Sequence, residues 1–326
     1  MGAVLSAVLS LLFVAALTIA PGAAVSQNPA PRVGVLGPDE QPRFSEIVSG
    51  LKRGLREQGY PDDAVDIVQA RTSRGDDASA RDAVKRLTEQ RPSALFVIGS
   101  NLARVARDMA PALPIVFITP GDPVAAGMLG SLARPGGNMT ALTFEYPELS
   151  AKRLELLREL GPRIRRVLVL YDPRDASPRQ GAAAARAASG ELGFSLVEVQ
   201  VRNARDIAEG LKRLDDADAL LAIPGGITSG HYEAMIRAAN ARQRPTILFT
   251  HSPSTREALL SYGASDVEVA RQAARALVKI FKGANAGDLA VERPSKVTLV
   301  VNLKTAKALG VTIPPALLVR ADEIIQ

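Results

Sequence analysis

The chain has 326 residues, of which 47% are hydrophobic and 23% are charged, and this length and balance suit two globular domains of ordinary size. The formal charge of +6 is spread along the chain, without a basic run interleaved with aromatic residues, which argues against a nucleic-acid partner. The absence of cysteine excludes a disulfide framework, a thiolate metal site, a cysteine nucleophile and a lipid-modified cysteine.

The N-terminal segment is apolar or small from residue 4 to residue 20, and the sequence PGAA follows it. This pattern predicts a secretory signal peptide over residues 1–24, cleaved near Ala24, and therefore a periplasmic protein. A retained membrane anchor is the alternative, because the apolar run approaches the length that spans a bilayer and no positive charge precedes it.

The first half of the remaining chain alternates short apolar runs with segments of helical periodicity. Strands are predicted at residues 32–36, 65–68, 94–98 and 115–118, with helices near residues 44–55, 83–87 and 102–109. Continuous apolar strands separated by helices predict a parallel sheet that is covered on both faces.

After the sequence RPGGN at residues 134–138, an extended segment leads into a second series of the same kind. It predicts a helix at residues 152–160 and strands at 166–170, 195–201, 219–223 and 246–249. Two such series predict two lobes, each with its ligand-facing loops at the carboxyl ends of its strands, and a cleft between them. Because glycine and proline punctuate the junction, we predict a hinge there that contains Gly136, Gly137, Asn138 and Tyr146.

Two blocks of this sequence resemble one family of proteins. They are GDPVAAGMLGSLARPGGNMTALTFEYPELSAKRLELLRELGPRIRRVLVLYDP and the closing VTLVVNLKTAKALGVTIPPALLVRADEII. Both are similar to ABC-transporter substrate-binding proteins, a family that includes the aromatic amino-acid binders of the TrpX type. The resemblance extends over essentially the whole chain after the signal segment.

The resemblance implies an α/β type I periplasmic-binding fold, with two Rossmann-like lobes of parallel sheet joined by a hinge of three segments. Crossings between the lobes are expected near residues 138–146, 250–263 and 292–302. The first lobe would then comprise residues 32–144 and about 258–292. The second would comprise residues 145–257 and about 293–326.

The same resemblance implies a function. Such a protein captures a small ligand between its lobes and delivers it to an ABC importer. The implied ligand is an amino acid, with aromatic amino acids the leading class, or another small carboxylate. The implied partners are this ligand, the ABC permease and its ATPase, and the protein would act as a monomer without a cofactor or a metal.

A cleft for such a ligand needs backbone N–H groups and hydroxyls for a carboxylate, an acid for an ammonium, and an apolar wall. The predicted strand ends supply candidates in both lobes: Phe44, Ser100, Asn101, Thr119 and Asp122 in the first, and Tyr171, Asp172, Arg174, Gly225, Thr228 and Thr250 in the second. Several have structural alternatives, since Ser100, Asn101 and Asp122 are also typical helix or turn caps and Phe44 lies on an apolar helix face.

Two loops depart from the commoner patterns of the family. The sequence has Gly99-Ser100-Asn101 where a Gly-Thr pair is usual, and Asp172-Pro173-Arg174-Asp175 where an Asn-Pro pair is usual. Those loops contact the ligand in the family, so their divergence leaves the identity of the ligand open.

Two other functions fit a two-lobed pattern. One is an enzyme with paired Rossmann domains acting on a nucleotide-sugar, but the chain has no G-x-S-x-G, G-x-x-x-x-G-K or H-E-x-x-H sequence, and no G-x-G-x-x-G after the first strand. With two histidines, His231 and His251, no transition-metal site is expected. The other is an extracytoplasmic sensor subunit that docks onto a membrane receptor instead of a permease.

Overall fold

The computed structural model describes residues 30–39, 43–73, 76–145, 147–252 and 255–326, so the predicted signal segment lies outside the described residues. Within these ranges, no helix is both long and apolar enough to cross a bilayer. Residues 31–326 form one compact unit, which contains two separate β-sheets.

The first sheet has five parallel strands in the order β2-β1-β3-β4-β5. Its strands are β1 (Arg32–Pro38), β2 (Asp66–Thr72), β3 (Ala94–Ile98), β4 (Ile115–Pro120) and β5 (Met139–Glu145), and the helices between the first four are α1 (Arg43–Glu57), α2 (Asp77–Glu89) and α3 (Ser100–Met109). All five residues of β3 are buried, because helices cover both faces of a parallel sheet. This sheet confirms the predicted parallel α/β fold.

The second sheet has seven strands in the order β12-β11-β10-β9-β8-β6-β7. Its strands are β6 (Arg166–Tyr171), β7 (Ser195–Gln200), β8 (Ala219–Ala222), β9 (Thr246–Leu248), β10 (Leu260–Gly263), β11 (Thr298–Asn302) and β12 (Glu323–Ile325). Its helices are α4 (Pro147–Glu159), α5 (Ala176–Ser189), α6 (Ala204–Leu211), α7 (Gly226–Ser229), α8 (Tyr232–Ala241), α10 (Leu303–Leu309) and α11 (Pro315–Arg320). One pair, β10 with β11, is antiparallel, since β11 enters the sheet after an excursion through the other lobe.

That excursion is α9 (Asp266–Phe281), which packs along α1 of the first lobe. Two glycines of α1 allow the close approach: a Cβ at Gly50 would lie 2.3 Å from the carbonyl oxygen of Val267, and one at Gly54 would lie 2.1 Å from that of Arg271. We therefore use "first lobe" for the first sheet with α1–α3 and α9, and "second lobe" for the second sheet with its own helices.

The chain crosses between the lobes three times. It leaves the first sheet after β5, returns between β10 and α9, and passes back before β11. Because β10 belongs to the second sheet, the second crossing follows residue 263, a few residues beyond the boundary expected near residue 258. The third crossing runs beside β5, where the Thr143 N–H donates to the Glu292 carbonyl and the Glu292 N–H donates to the Ala141 carbonyl.

The glycine pair of RPGGN does not lie at any of these crossings. Gly136 and Gly137 precede β5, with φ angles of +77° and +62°, and the Gly136 N–H donates to the Gly287 carbonyl within the first lobe. The chain then remains in the first sheet for the seven residues of β5, paired with β4. The pair predicted to form the hinge therefore lies at the amino end of β5, whereas the crossing follows its carboxyl end.

The other two predicted hinge residues have different outcomes. The Asn138 side chain donates to the carbonyls of Ala110 and Leu113, so it fixes the turn before β5 to the end of α3. Tyr146 lies at the first crossing, but it falls outside the described residues.

Candidate functional site

A cavity of about 410 Å³ lies between the lobes, where the carboxyl ends of the strands of both sheets meet. The first lobe contributes residues at the ends of β1 to β5 and at the starts of α1, α2 and α3. The second lobe contributes residues that follow β6, β8 and β9. The volume lies in the range of small-ligand sites.

The start of α3 forms part of the first lobe's wall. Gly99, with a φ of +102°, turns the chain from β3 into α3, and no side chain of the described residues caps the helix at this end. Ser100, Asn101 and Leu102 follow and line the cavity. Since the first N–H groups of a helix lack partners within it, this end of α3 can bind an anion.

The loop after β6 forms the facing wall in the second lobe. Asp172 accepts two hydrogen bonds from the Arg174 guanidinium, at 3.0 and 2.9 Å, and one from the Arg174 N–H. Arg174 also donates to the Arg202 carbonyl, and about half of its side chain is exposed. The arginine that could bind a ligand carboxylate is therefore already paired with an acid of its own loop.

Asp175 is the buried acid of this wall. Its Oδ1 caps α5 by accepting from the Ser177 N–H at 3.2 Å, and it accepts from the Ser100 hydroxyl of the opposite lobe at 3.1 Å. Burial raises the pKa of the Asp175 carboxyl above its ordinary value, and the charge of Asp172 acts in the same direction. Hydrogen bonds from Ser177 and Ser100, and the charge of Arg179, oppose this rise without cancelling it.

Aromatic side chains form an apolar part of the wall. Phe144, at the end of β5, and Phe249, just after β9, both line the cavity, and their rings stack with centroids 5.9 Å apart. Tyr232 meets Phe249 edge to face at 5.6 Å. Because Phe144 and Phe249 come from different lobes, this corner joins the lobes and also offers apolar surface to a ligand.

A cluster of charged residues lies where α1 meets the second crossing. Arg43 lines the cavity and pairs with Asp266 through two hydrogen bonds of 2.7 and 3.1 Å. Burial raises the pKa of Glu46, the charge of Asp266 adds to this, and a hydrogen bond with Ser252 together with the charge of Arg43 opposes it. The Glu46 Oε2 atom is buried and has no hydrogen-bond partner in the described part of the chain.

The structure brings together five of the eleven residues predicted to bind the ligand. The residues in the cavity wall are Ser100, Asn101, Asp172, Arg174 and Gly225. Phe144, Phe249 and Asp175 also line the cavity, although none of them was among the residues predicted to bind the ligand. Phe249 and Asp175 lie next to predicted residues on the same loops, so the strand-end signal identifies loops that line the cavity but not each side chain that does so.

The other six predicted residues do not line the cavity, and each has a structural role instead. In the first lobe, the Phe44 ring is buried under Arg71, whose guanidinium lies 5.2 Å from the ring centroid. The Thr119 hydroxyl donates to the Pro120 carbonyl, and the Asp122 carboxylate accepts from the N–H groups of Val124 and Ala125. The remaining three belong to the second lobe.

Tyr171 packs in the core of the second lobe, with 8% of its surface exposed. The Thr228 hydroxyl donates to the Ile223 carbonyl at 2.8 Å, and the Thr250 hydroxyl donates to the Ala264 carbonyl at 3.2 Å. Both hydroxyls thus satisfy backbone carbonyl groups near strand ends. Polar side chains in loops often have this structural role instead of binding a ligand.

In the described ranges, no three His, Cys, Asp or Glu side chains come together in a group that could hold a metal ion. The polar groups of the wall are hydroxyls, an amide, carboxylates and guanidinium groups. This set suits an organic ligand with a carboxylate or an ammonium.

Known proteins share both the sequence pattern and the fold. A sequence model of the family described as "ABC transporter substrate binding protein" matches residues 32–325. A tyrosine-binding protein of Clostridioides difficile (strain R20291) is 20% identical over 278 residues, which cover 85% of this chain and 80% of the relative.

Two solved structures are similar over 91% of this chain and all of their own length, each with a TM-score of 0.81. One is a conserved domain protein from Vibrio cholerae, at 27% identity, and the other is an ABC domain in complex with L-Trp from Streptococcus pneumonia, at 24% identity. The periplasmic-binding fold and the family resemblance noted in the sequence are confirmed. The chain belongs to the family of ABC transporter substrate-binding proteins.

Proposed function

We propose that the protein captures an amino acid or a related small carboxylate in the cavity between its lobes and delivers it to an ABC importer. The observation that carries this proposal is the cavity of about 410 Å³, whose wall is shared between the two lobes. A ligand that contacts both walls binds the closed arrangement better than an open one, and this difference drives closure.

Two features of the wall support a ligand of this class. The uncapped start of α3, with Ser100 and Asn101, suits a carboxylate. Phe144 and Phe249 suit an apolar or aromatic side chain. The relatives point in the same direction, since one is named for tyrosine binding and another was solved with L-Trp.

The contacts across the cleft are hydrogen bonds between loops, which can break and form again as the lobes separate and close. The Asp122 N–H of the first lobe donates to the Gln180 side chain of the second at 3.0 Å, and Ser100 donates to Asp175. A Cβ at Gly121 would lie 2.8 Å from the Ser177 side chain, so the two loops meet closely at this point. A surface that forms only when these loops meet is what a permease would recognise.

Delivery to an importer places the protein outside the cytoplasm. The signal segment proposed at residues 1–24, with cleavage near Ala24, would provide export to the periplasm, and N-terminal sequencing of the secreted protein tests it.

We also propose that the protein acts as a monomer, because one chain supplies both walls of the cavity. Light scattering with and without ligand tests this point.

The proposal is tested by thermal unfolding against a panel of amino acids and small carboxylates, followed by solution scattering. A ligand at a hundred times its dissociation constant should stabilise the fold by about 2.7 kcal/mol, and the same ligand should make the protein more compact. A panel without any shift, or a shift without compaction, would contradict capture by closure. Uptake of the labelled ligand after deletion of the gene separates an importer subunit, for which uptake is lost, from a sensor subunit, for which it is retained.

A further inference from the structure

Asp175 differs from the other acids of the cavity wall in how its charge is compensated. Its surface is 6% exposed, its hydrogen-bond partners are the neutral Ser100 hydroxyl and Ser177 N–H, and it forms no ion pair with any described residue. Burying a carboxylate without a positive partner is costly. The cavity beside it therefore favours a cation.

Among the described residues, the other acids of the cavity wall are paired with an arginine or exposed to solvent. On the same loop, Asp172 pairs with Arg174. On the facing lobe, Asp77 is exposed and lies 3.5 Å from Arg104, while Asp76 is exposed and caps α2. In the lobe of Asp175, Arg174 is paired with Asp172, and Arg179 donates to the Pro173 carbonyl and acts on Asp175 only through its charge.

We infer that Asp175 receives the ammonium of the ligand, so that the site selects α-amino acids over carboxylates that lack the amine. This inference rests on the proposed function and names the ligand chemistry of the same cavity. The Ser100 hydroxyl donates to the Asp175 carboxylate from the facing lobe. An ammonium can hydrogen-bond the same carboxylate and also supply a compensating positive charge.

The perturbed ionisation of Asp175 is consistent with this role. Its raised pKa shows that its surroundings in the protein disfavour the charged form, mainly because of burial. A bound ammonium favours the charged form. Amino acid binding should therefore weaken as the pH falls through the raised pKa of Asp175, whereas binding of an amine-free carboxylate should not weaken for this reason.

Asp175 also has a structural role, because its side chain caps the N-terminus of α5. Asparagine caps helices about as well as aspartate but carries no charge, so Asp175→Asn separates the two roles. Asp122→Asn is the matched control, because Asp122 is also a loop aspartate that accepts from two backbone N–H groups, lies in a loop that contacts the other lobe, and does not line the cavity.

The experiment is calorimetric titration of the wild-type protein and both variants. The probes are the standard amino acids, with L-tyrosine and L-tryptophan paired against 3-(4-hydroxyphenyl)propionate and 3-indolepropionate. We expect the wild type to prefer the amino acid of a bound pair by at least about tenfold, or about 1.4 kcal/mol. Asp175→Asn should remove this preference, leave the melting temperature no lower than that of the wild type, and abolish the pH dependence of amino acid binding. Asp122→Asn should retain the preference.

Other outcomes overturn the inference, and they separate it from the proposed function. If the amine-free acids bind as well as the amino acids, or if Asp175→Asn weakens both alike, solute capture stands and the role of Asp175 fails. If no amino acid binds but another class of small molecule does, the assignment of an ammonium to Asp175 is wrong. If no small molecule binds or compacts the protein, both proposals fail.

Discussion

Two groups of contacts join the lobes, and they are built differently. At the crossings, Phe144 stacks on Phe249, and Thr250 donates a hydrogen bond to the Ala264 carbonyl. The Gln272 side chain of α9 donates hydrogen bonds to residues 292 and 293 of the third crossing. Across the cavity, the contacts are side-chain hydrogen bonds between loops, such as Ser100 with Asp175. We call the first group the pivot contacts and the second group the cleft contacts.

The difference indicates which contacts persist when the lobes separate. The pivot contacts combine buried aromatic surface with hydrogen bonds to backbone groups, and breaking them would expose apolar area and leave buried polar groups unpaired. A cleft contact contributes about 1 kcal/mol and can exchange its partner for water or ligand. We therefore expect substitutions at the pivot to change stability, and substitutions in the cleft to change binding and closure.

The largest effect is expected at Gly263, at the pivot. A Cβ there would lie 1.6 Å from the Phe249 carbonyl oxygen, so Gly263→Ala must displace backbone. We expect a loss of more than about 3 kcal/mol in the free energy of unfolding, or no folded protein. Gly190→Ala is the control, because Gly190 has a helical φ of −63° and open space around it. A Gly263→Ala variant as stable as wild type in urea would contradict this assignment.

The next effect tests whether the glycine pair is a turn or a hinge. Alanine at both Gly136 and Gly137 should cost about 2 kcal/mol or more in total, because both residues have positive φ. Ligand-induced compaction measured by solution scattering should equal that of the wild type. If the compaction changed while the stability did not, Gly136 and Gly137 would act as a hinge.

A smaller effect is expected from two glutamines that belong to different groups of contacts. Gln272 donates to the Glu292 side chain and the Arg293 carbonyl and accepts from the Ser295 N–H, whereas the Gln180 side chain accepts from the Asp122 N–H. Gln272→Ala should lower the free energy of unfolding by about 1–2 kcal/mol. Gln180→Ala should change stability by less than about 1 kcal/mol and weaken ligand binding. If denaturation showed the larger loss of stability for Gln180→Ala, and calorimetry showed weaker ligand binding only for Gln272→Ala, the assignment of these residues to the cleft and pivot contacts would be wrong.

The smallest effect concerns pH. The pKa values of Asp175 and Glu46 are raised in the folded protein, so the native state holds more protons than the unfolded state between the ordinary and the raised values. Their contribution to stability therefore falls as the pH rises through that window. Urea unfolding across this pH range should show Asp175→Asn and Glu46→Gln gaining stability relative to wild type as the pH rises. If the variants instead lost stability relative to wild type as the pH rises, the pKa values of these two acids would not be raised in the folded protein.

The order of strands and helices could be predicted because each element carries its own periodicity. Residues 94–98 are continuously apolar, and they form a strand that is buried throughout. Glycine and proline at residues 135–137 correctly indicated a sharp turn, but a turn signal does not specify which end of a strand it precedes. The pairing of β5 with β4, which is a long-range contact, put the crossing at the other end.

The same limit applies to the site. Strand ends identified the loops that form the cavity, because parallel strands bring their carboxyl ends to one edge. Whether a side chain faces the cavity depends on neighbours far away in the chain: Thr250 turns to the Ala264 carbonyl, while Phe249 beside it meets Phe144 of the other lobe. Both residues follow β9 directly, so their position at the strand end does not show which of them lines the cavity.

The sequence by itself determined the two α/β series, the family and the loops at the cleft, since periodicity and the two quoted blocks are local properties. Only the tertiary structure decided where the chain crosses between lobes and which acid of the cavity wall is buried without an ion pair among the described residues. Those outcomes depend on burial and on pairing between distant residues, such as Ser100 with Asp175 and α1 with α9. Burial changes the cost of a charge, and no single segment of sequence records it.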